Sequence, residues 1–98
     1  MYGLIGKLVA LEGRREELIT ILLEGSRSMP GCLSYIVARD AADPNAIWVT
    51  EAWRDRTSHA ESLALPAVQH AISRGRPLIS GFGERVETEP VAGTGLAG

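Results

Sequence analysis

The sequence has little of what usually announces a function. It carries one cysteine, Cys32, in 98 residues, so no internal disulfide can form and a reducing compartment is the natural setting. It has no excess of positive charge. Ten Lys and Arg stand against twelve Asp and Glu, a net charge of −2, which argues against both the basic footprint of a nucleic-acid binder and an acidic solvating tail. The N-terminus shows no charged segment ahead of an apolar one, and the aliphatic stretch Leu18–Leu23 is far too short to span a bilayer. A cytoplasmic protein is expected, with neither membrane nor nucleic acid as partner. The only histidines, His59 and His70, have no third ligand at metal spacing, so no metal is expected.

What is present is globular: 45% of the residues are hydrophobic, enough for one core at this length. Tyr2–Ala10 alternates as a strand, with Tyr2, Leu4 and Leu8 on one side and Ile5, Lys7 and Val9 on the other. Apolar residues on both sides predict a central strand covered on both faces. Leu18, Ile21, Leu22 and Gly25 recur at helical spacing with Met29 a turn further on, and the polar residues oppose them. This predicts a helix of about four turns, stopped by Met29-Pro30-Gly31. Cys32–Arg39 and Ala46–Trp53 form a predicted hairpin around the Asp40–Asn45 turn. Asp55 or Thr57 can cap a second helix, with Ser58 and Glu61 as a capping box one register later. Pro66 breaks that helix and opens a new segment, in which Val68, Ala71, Ile72 and Gly75 share a face. A last strand is predicted over residues 81–89.

The order βαββαβ predicts an α+β domain over residues 1–89 with a small-residue tail at 90–98. Two helices cover only one face of such a sheet. The other face, with its apolar residues, calls for a second copy of the chain, so a homodimer is expected.

Several residues carry candidate chemistry. Gly93–Gly98 matches the dinucleotide fingerprint in letters only, because no helix follows to hold a pyrophosphate. Cys32 has no local base and reads as a buried thiol. Glu51 and Trp53 point the same way along a strand, in a row with Val49 and Ile47. A carboxylate there is either satisfied by a neighbour or is a pocket acid whose pKa burial raises. Trp48 faces the opposite side as expected interface core. His59, one turn before Leu63 with Ser62 between, leans toward the sheet, whereas His70 lies toward the polar flank.

The stretch Pro30-Gly-Cys-Leu-Ser-Tyr35, followed by Asp43-Pro-Asn45, Glu51-Ala-Trp53 and Ser62-Leu-Ala-Leu-Pro66, resembles the antibiotic biosynthesis monooxygenase (ABM) family, which includes the YgiN-like quinol monooxygenases. The likeness in order and spacing runs to about residue 89. It implies a ferredoxin-like fold, dimers that combine their sheets into an α+β barrel, and a pocket between sheet and helices. It also implies oxidation of electron-rich phenols or quinols by O2 with no cofactor. For that chemistry the shared orientation of Glu51 and Trp53, with a histidine leaning over them, makes His59 the expected catalytic base with Glu51 as the alternative. Trp53 is expected as a wall or indole N–H donor, and Val49, Ser62, Leu63 and Ile72 as further substrate-binding residues. Polyketide-oxidising members can hold a tyrosine at the position of His59. Ser62 and Ala67 stand where many members carry histidines, and Val49 where some carry an asparagine. The strand-one asparagine and helix-two tryptophan of haem-degrading members are missing. A non-catalytic module binding a small apolar ligand and an isomerase of a small metabolite are the alternatives. The apolar Ile47 and Val49 argue against the isomerase.

Overall fold

The computed structural model describes residues 1–96. The chain runs β1 (Tyr2–Ala10), α1 (Arg15–Gly25), β2 (Cys32–Arg39), β3 (Ala46–Trp53), α2 (Arg56–Ser62), α3 (Pro66–Gly75) and β4 (Ile79–Thr88), with a 3-10 turn at Arg76–Leu78 leading into β4. The four strands form one sheet in the order β2-β3-β1-β4, and every neighbouring pair is antiparallel. This is the expected α+β fold, with β1 central.

The register makes the two sheet faces explicit. Tyr2, Leu4, Gly6 and Leu8 of β1 lie opposite Trp53, Glu51, Val49 and Ile47 of β3, and this face receives the helices. Its core joins Ala10, Leu18, Ile21, Ile47, Val49 and Leu78, and a second cluster of Tyr2, Leu4 and Trp53 packs with Met29 and Cys32. The other face presents Ile5 and Lys7 beside Thr50 and Trp48, with Ile36, Ala38 and Val86 on the flanking strands. Ile36 is 56% and Val86 47% exposed. Trp48 is anchored there: its indole N–H donates to Asp40 Oδ2 at 2.8 Å, and the Lys7 ammonium lies 5.7 Å from the ring centroid.

Two expectations are adjusted. Helix α1 has three turns, not four, and ends at Gly25, before Met29. Glycine is a poor helix former, but here it permits a close approach, since a Cβ at Gly25 would stand 2.5 Å from that of Ala71. The Ser26 hydroxyl then takes the Leu23 carbonyl that a further turn would have used. Strand β4 starts at Ile79 rather than Gly81, because Ala10 pairs with Ile79 and the ladder continues through the two glycines across register shifts. The tail expectation for residues 90–98 and the Gly93–Gly98 pattern extend to residues 97 and 98, which lie outside the described residues. From Glu89 to Leu96 the chain forms neither helix nor strand.

Asp55 is the cap of α2, accepting the Ser58 backbone N–H at 2.7 Å, and Pro66 opens α3 at its first turn. The backbone and hydroxyl hydrogen bonds from Ser58 hold the Asp55 carboxyl below its usual pKa. A depressed carboxylate stabilises the fold above its unfolded pKa and loses that contribution as pH falls through the folded value. An Asp55→Ala variant is therefore expected to melt a few degrees lower at neutral pH, and the gap should close on acidification. Asp55→Asn, an equally good cap, should restore the melting temperature. Thermal melts of the three proteins across acid pH check this.

Candidate active site

Between the sheet and the three helices lies a cavity of about 610 Å³, lined mainly by apolar side chains from α1, α3 and the sheet. Glu51, Trp53, His59 and Ser62 gather at one end, while Ser26, Arg76 and Ser80 also reach the lining. Glu51 and Trp53 share a face of β3 because they are two positions apart, and the Trp53 indole N–H donates to Glu51 Oε1 at 3.0 Å. Helix α2 then brings His59 over them. The imidazole meets the Trp53 ring edge-on at 5.3 Å and lies tilted over Tyr2 at 5.4 Å. Among the described residues no hydrogen bond is made by its ring nitrogens.

Electrostatics follow from this packing. Burial raises the Glu51 pKa, while the Trp53 N–H and the charges of His59 and Arg85 pull it back down. A carboxylate with a raised folded pKa binds protons more readily in the folded state, so stability falls as pH rises from the ordinary carboxylate value through the folded one. Glu51→Gln should remove this slope. The difference in melting temperature between the two proteins should grow over that window and level off above it. Burial also raises the Tyr35 pKa well above that of a free phenol, reinforced by the Glu51 and Cys32 charges.

Tyr2 lies behind the imidazole at this end. Its hydroxyl donates to Glu87 Oε2 at 2.7 Å, Arg56 Nη2 meets the same oxygen at 2.9 Å, and the Arg56 guanidinium stacks 4.7 Å above the Tyr2 ring. The start of α2 is thereby tied to β4, and the imidazole is held between Tyr2 and Trp53.

His59, Glu51, Trp53, Ser62, Leu63 and Ile72 all line this cavity, although they come from three elements. Ser62 is buried, and its hydroxyl donates to the His59 carbonyl at 2.6 Å. Val49 and Trp53 take different places. Val49 does not line the main cavity; it is packed in the core and borders a smaller adjoining cavity. Trp53, 1% exposed, lines the cavity as a wall and donates its indole N–H to Glu51. His70 is exposed on α3 and outside the lining. Cys32 is half-buried, with its thiol pKa raised chiefly by burial, as expected of an inert thiol.

Sequence reasoning missed Tyr35, Met29 and Phe82 in the lining. For Tyr35 a signal existed: the Asp40–Asn45 turn fixes the hairpin register, and that register sets Tyr35 opposite Glu51. Met29 and Phe82 reach the cavity through a loop and a bulged strand, which periodicity does not reveal. Among the described residues, no group of three or more His, Cys, Asp or Glu is placed to hold a metal ion. No helix there is long and apolar enough to cross a membrane.

Comparison with known proteins gives a consistent result. Residues 1–74 match the sequence model of the family described as antibiotic biosynthesis monooxygenase. A protein of Chloroflexus aurantiacus J-10-fl, provisionally named an antibiotic biosynthesis monooxygenase, is 58% identical, covers 98% of both chains and superposes with a TM-score of 0.96. A Deinococcus radiodurans protein with the same provisional name is 26% identical over the whole of both chains, with a TM-score of 0.78. An uncharacterised Synechocystis protein, sll1783, is 27% identical over 78 residues, which cover 76% of this chain and 53% of that protein. The chain thus spans about half the length of that curated relative.

Proposed function

The chain belongs to the antibiotic biosynthesis monooxygenase family, and on that premise we propose that it oxidises an aromatic phenol or quinol with O2, without a cofactor, as the YgiN-like quinol monooxygenases do. The observation that carries this reading is the cluster of Glu51, Trp53 and His59 at one end of a mainly apolar cavity that Arg76 also borders. Such a site orients a flat ring against apolar walls and offers a base beside it.

His59 takes the phenolic proton at a free ring nitrogen. Glu51, fixed by the Trp53 N–H, faces the resulting imidazolium and steadies its charge. The electron-rich phenolate passes one electron to O2, and the substrate radical and superoxide recombine at a ring carbon that bore hydrogen. The peroxide then collapses. One oxygen atom remains as a quinone carbonyl, and the other leaves as water with two substrate hydrogens. The substrate supplies all four electrons, so the reaction balances with O2 alone.

Oxygen uptake by metal-stripped, flavin-free protein against a panel of quinols and anthrones is the test. Uptake proportional to protein concentration is expected. Saturable ligand binding without uptake would identify a binding module instead.

The same reading places a second copy on the bare sheet face, where Ile5, Ile36, Trp48 and Val86 lie together. Sedimentation at micromolar protein should give twice the chain mass. A stable lone chain would overturn the dimer.

A further inference from the structure

The sheet wall of the cavity has a gap. Along the helix-facing side of β1 the residues run Tyr2, Leu4, Gly6, Leu8, and a Cβ at Gly6 would meet no atom within 4 Å. A second cavity of about 310 Å³ occupies this space, and it shares Leu8, Leu22, Tyr35, Glu51 and Phe82 with the main one. Its far wall is Arg85, an exposed residue of β4 that pairs with Gly6 of β1 and whose guanidinium lies within reach of the Tyr2 hydroxyl and the Glu87 charge. Among the described residues no carboxylate oxygen lies within 4.0 Å of the Arg85 guanidinium. Glu87, the acidic neighbour two residues on, is taken up by Arg56 and Tyr2. Lys7 borders the compartment but sends its ammonium to the opposite sheet face, over Trp48. Exposed Glu84 is the one opposing charge in the lining besides Glu51.

We infer that this compartment is a subsite for an anionic substituent, a carboxylate carried on the aromatic ligand whose ring lies beside Glu51 and Trp53. The inference rests on the aromatic-substrate reading above and specifies it. The guanidinium fork matches a carboxylate in two hydrogen bonds, and no side chain at Gly6 stands between the two cavities' shared wall and that fork. Strands β3 and β4 are two strand spacings apart, about 10 Å. A fused-ring ligand with a carboxylate substituent can bridge that span.

The test compares binding of a naphthohydroquinone with and without a ring carboxylate, by calorimetry under anaerobic conditions. Wild type should bind the carboxylated ligand at least about tenfold more tightly, since charge-assisted bonds to a carboxylate exceed neutral ones by that order. Arg85→Gln should abolish the preference and leave affinity for the uncharged ligand within about twofold. Gly6→Val, directed into open space, should selectively weaken the carboxylated ligand. Glu84→Gln should increase the preference by relieving repulsion. Equal binding of the two ligands by wild type, failure to bind the carboxylated one, or a preference that survives in Arg85→Gln would overturn the subsite. Because no O2 is present, these results are separate from turnover. A preference for the carboxylate with no aerobic oxidation would refute the proposed reaction and leave the subsite standing.

Discussion

His59→Gln is expected to oxidise a quinol substrate at least about a hundredfold more slowly than wild type, the usual cost of losing a positioned general base. Glutamine is close to histidine in size and keeps a polar tip in the cavity but cannot accept the proton. The loss should therefore fall on kcat, with KM nearly unchanged, because the ring is bound by the apolar lining. Glu51→Gln should give a smaller loss, since the amide keeps an acceptor for the Trp53 N–H but removes the charge facing His59. Steady-state oxygen uptake by the two variants checks this ordering. If both turned over as fast as wild type, the assignment of base and counter-charge would be wrong. If Glu51→Gln were the slower of the two, the carboxylate itself would be the base.

The second large effect is on stability. Trp53 is 1% exposed and forms one core cluster with Tyr2 and Leu4. Truncation of such an aromatic, Trp53→Ala, is expected to cost about 3–5 kcal/mol. For a domain of this length, whose total stability is of order 5–15 kcal/mol, the melting temperature should fall by on the order of 20 °C. Trp53→Phe isolates the polar part of the role. It keeps most of the packing but leaves Glu51 without the N–H that holds its pKa down. The Glu51 pKa should then rise further above its unfolded value, and stability should decline more steeply as pH climbs through that wider window. Denaturant melts at several pH values distinguish the two substitutions. A Trp53→Phe protein with the pH dependence of wild type would show that the indole N–H has no hold on the carboxylate.

Most of the architecture can be read from residue order, since strand alternation and helical spacing report which side of each element is buried. Tyr2, Leu4 and Leu8, and the Glu51–Trp53 pair, lie on the expected face. The errors fall at element ends. Helix α1 ends at Gly25, where the chain packs closely against Ala71, 46 residues further on. The start of β4 at Ile79 depends on pairing with Ala10. Each is decided by a partner distant in the chain.

The same division runs through the site. The sequence by itself determined that a carboxylate and a tryptophan share one face of β3 and that a histidine leans toward that face from the next helix, because those relations are set by local backbone geometry within a few residues. Only the tertiary structure decided that the indole N–H belongs to Glu51, that Tyr2 backs the imidazole, that Val49 is core, and that Gly6 leaves space in front of Arg85. These are contacts between elements, fixed by strand register and by the packing of helices on the sheet, and periodicity within a segment holds no information about them.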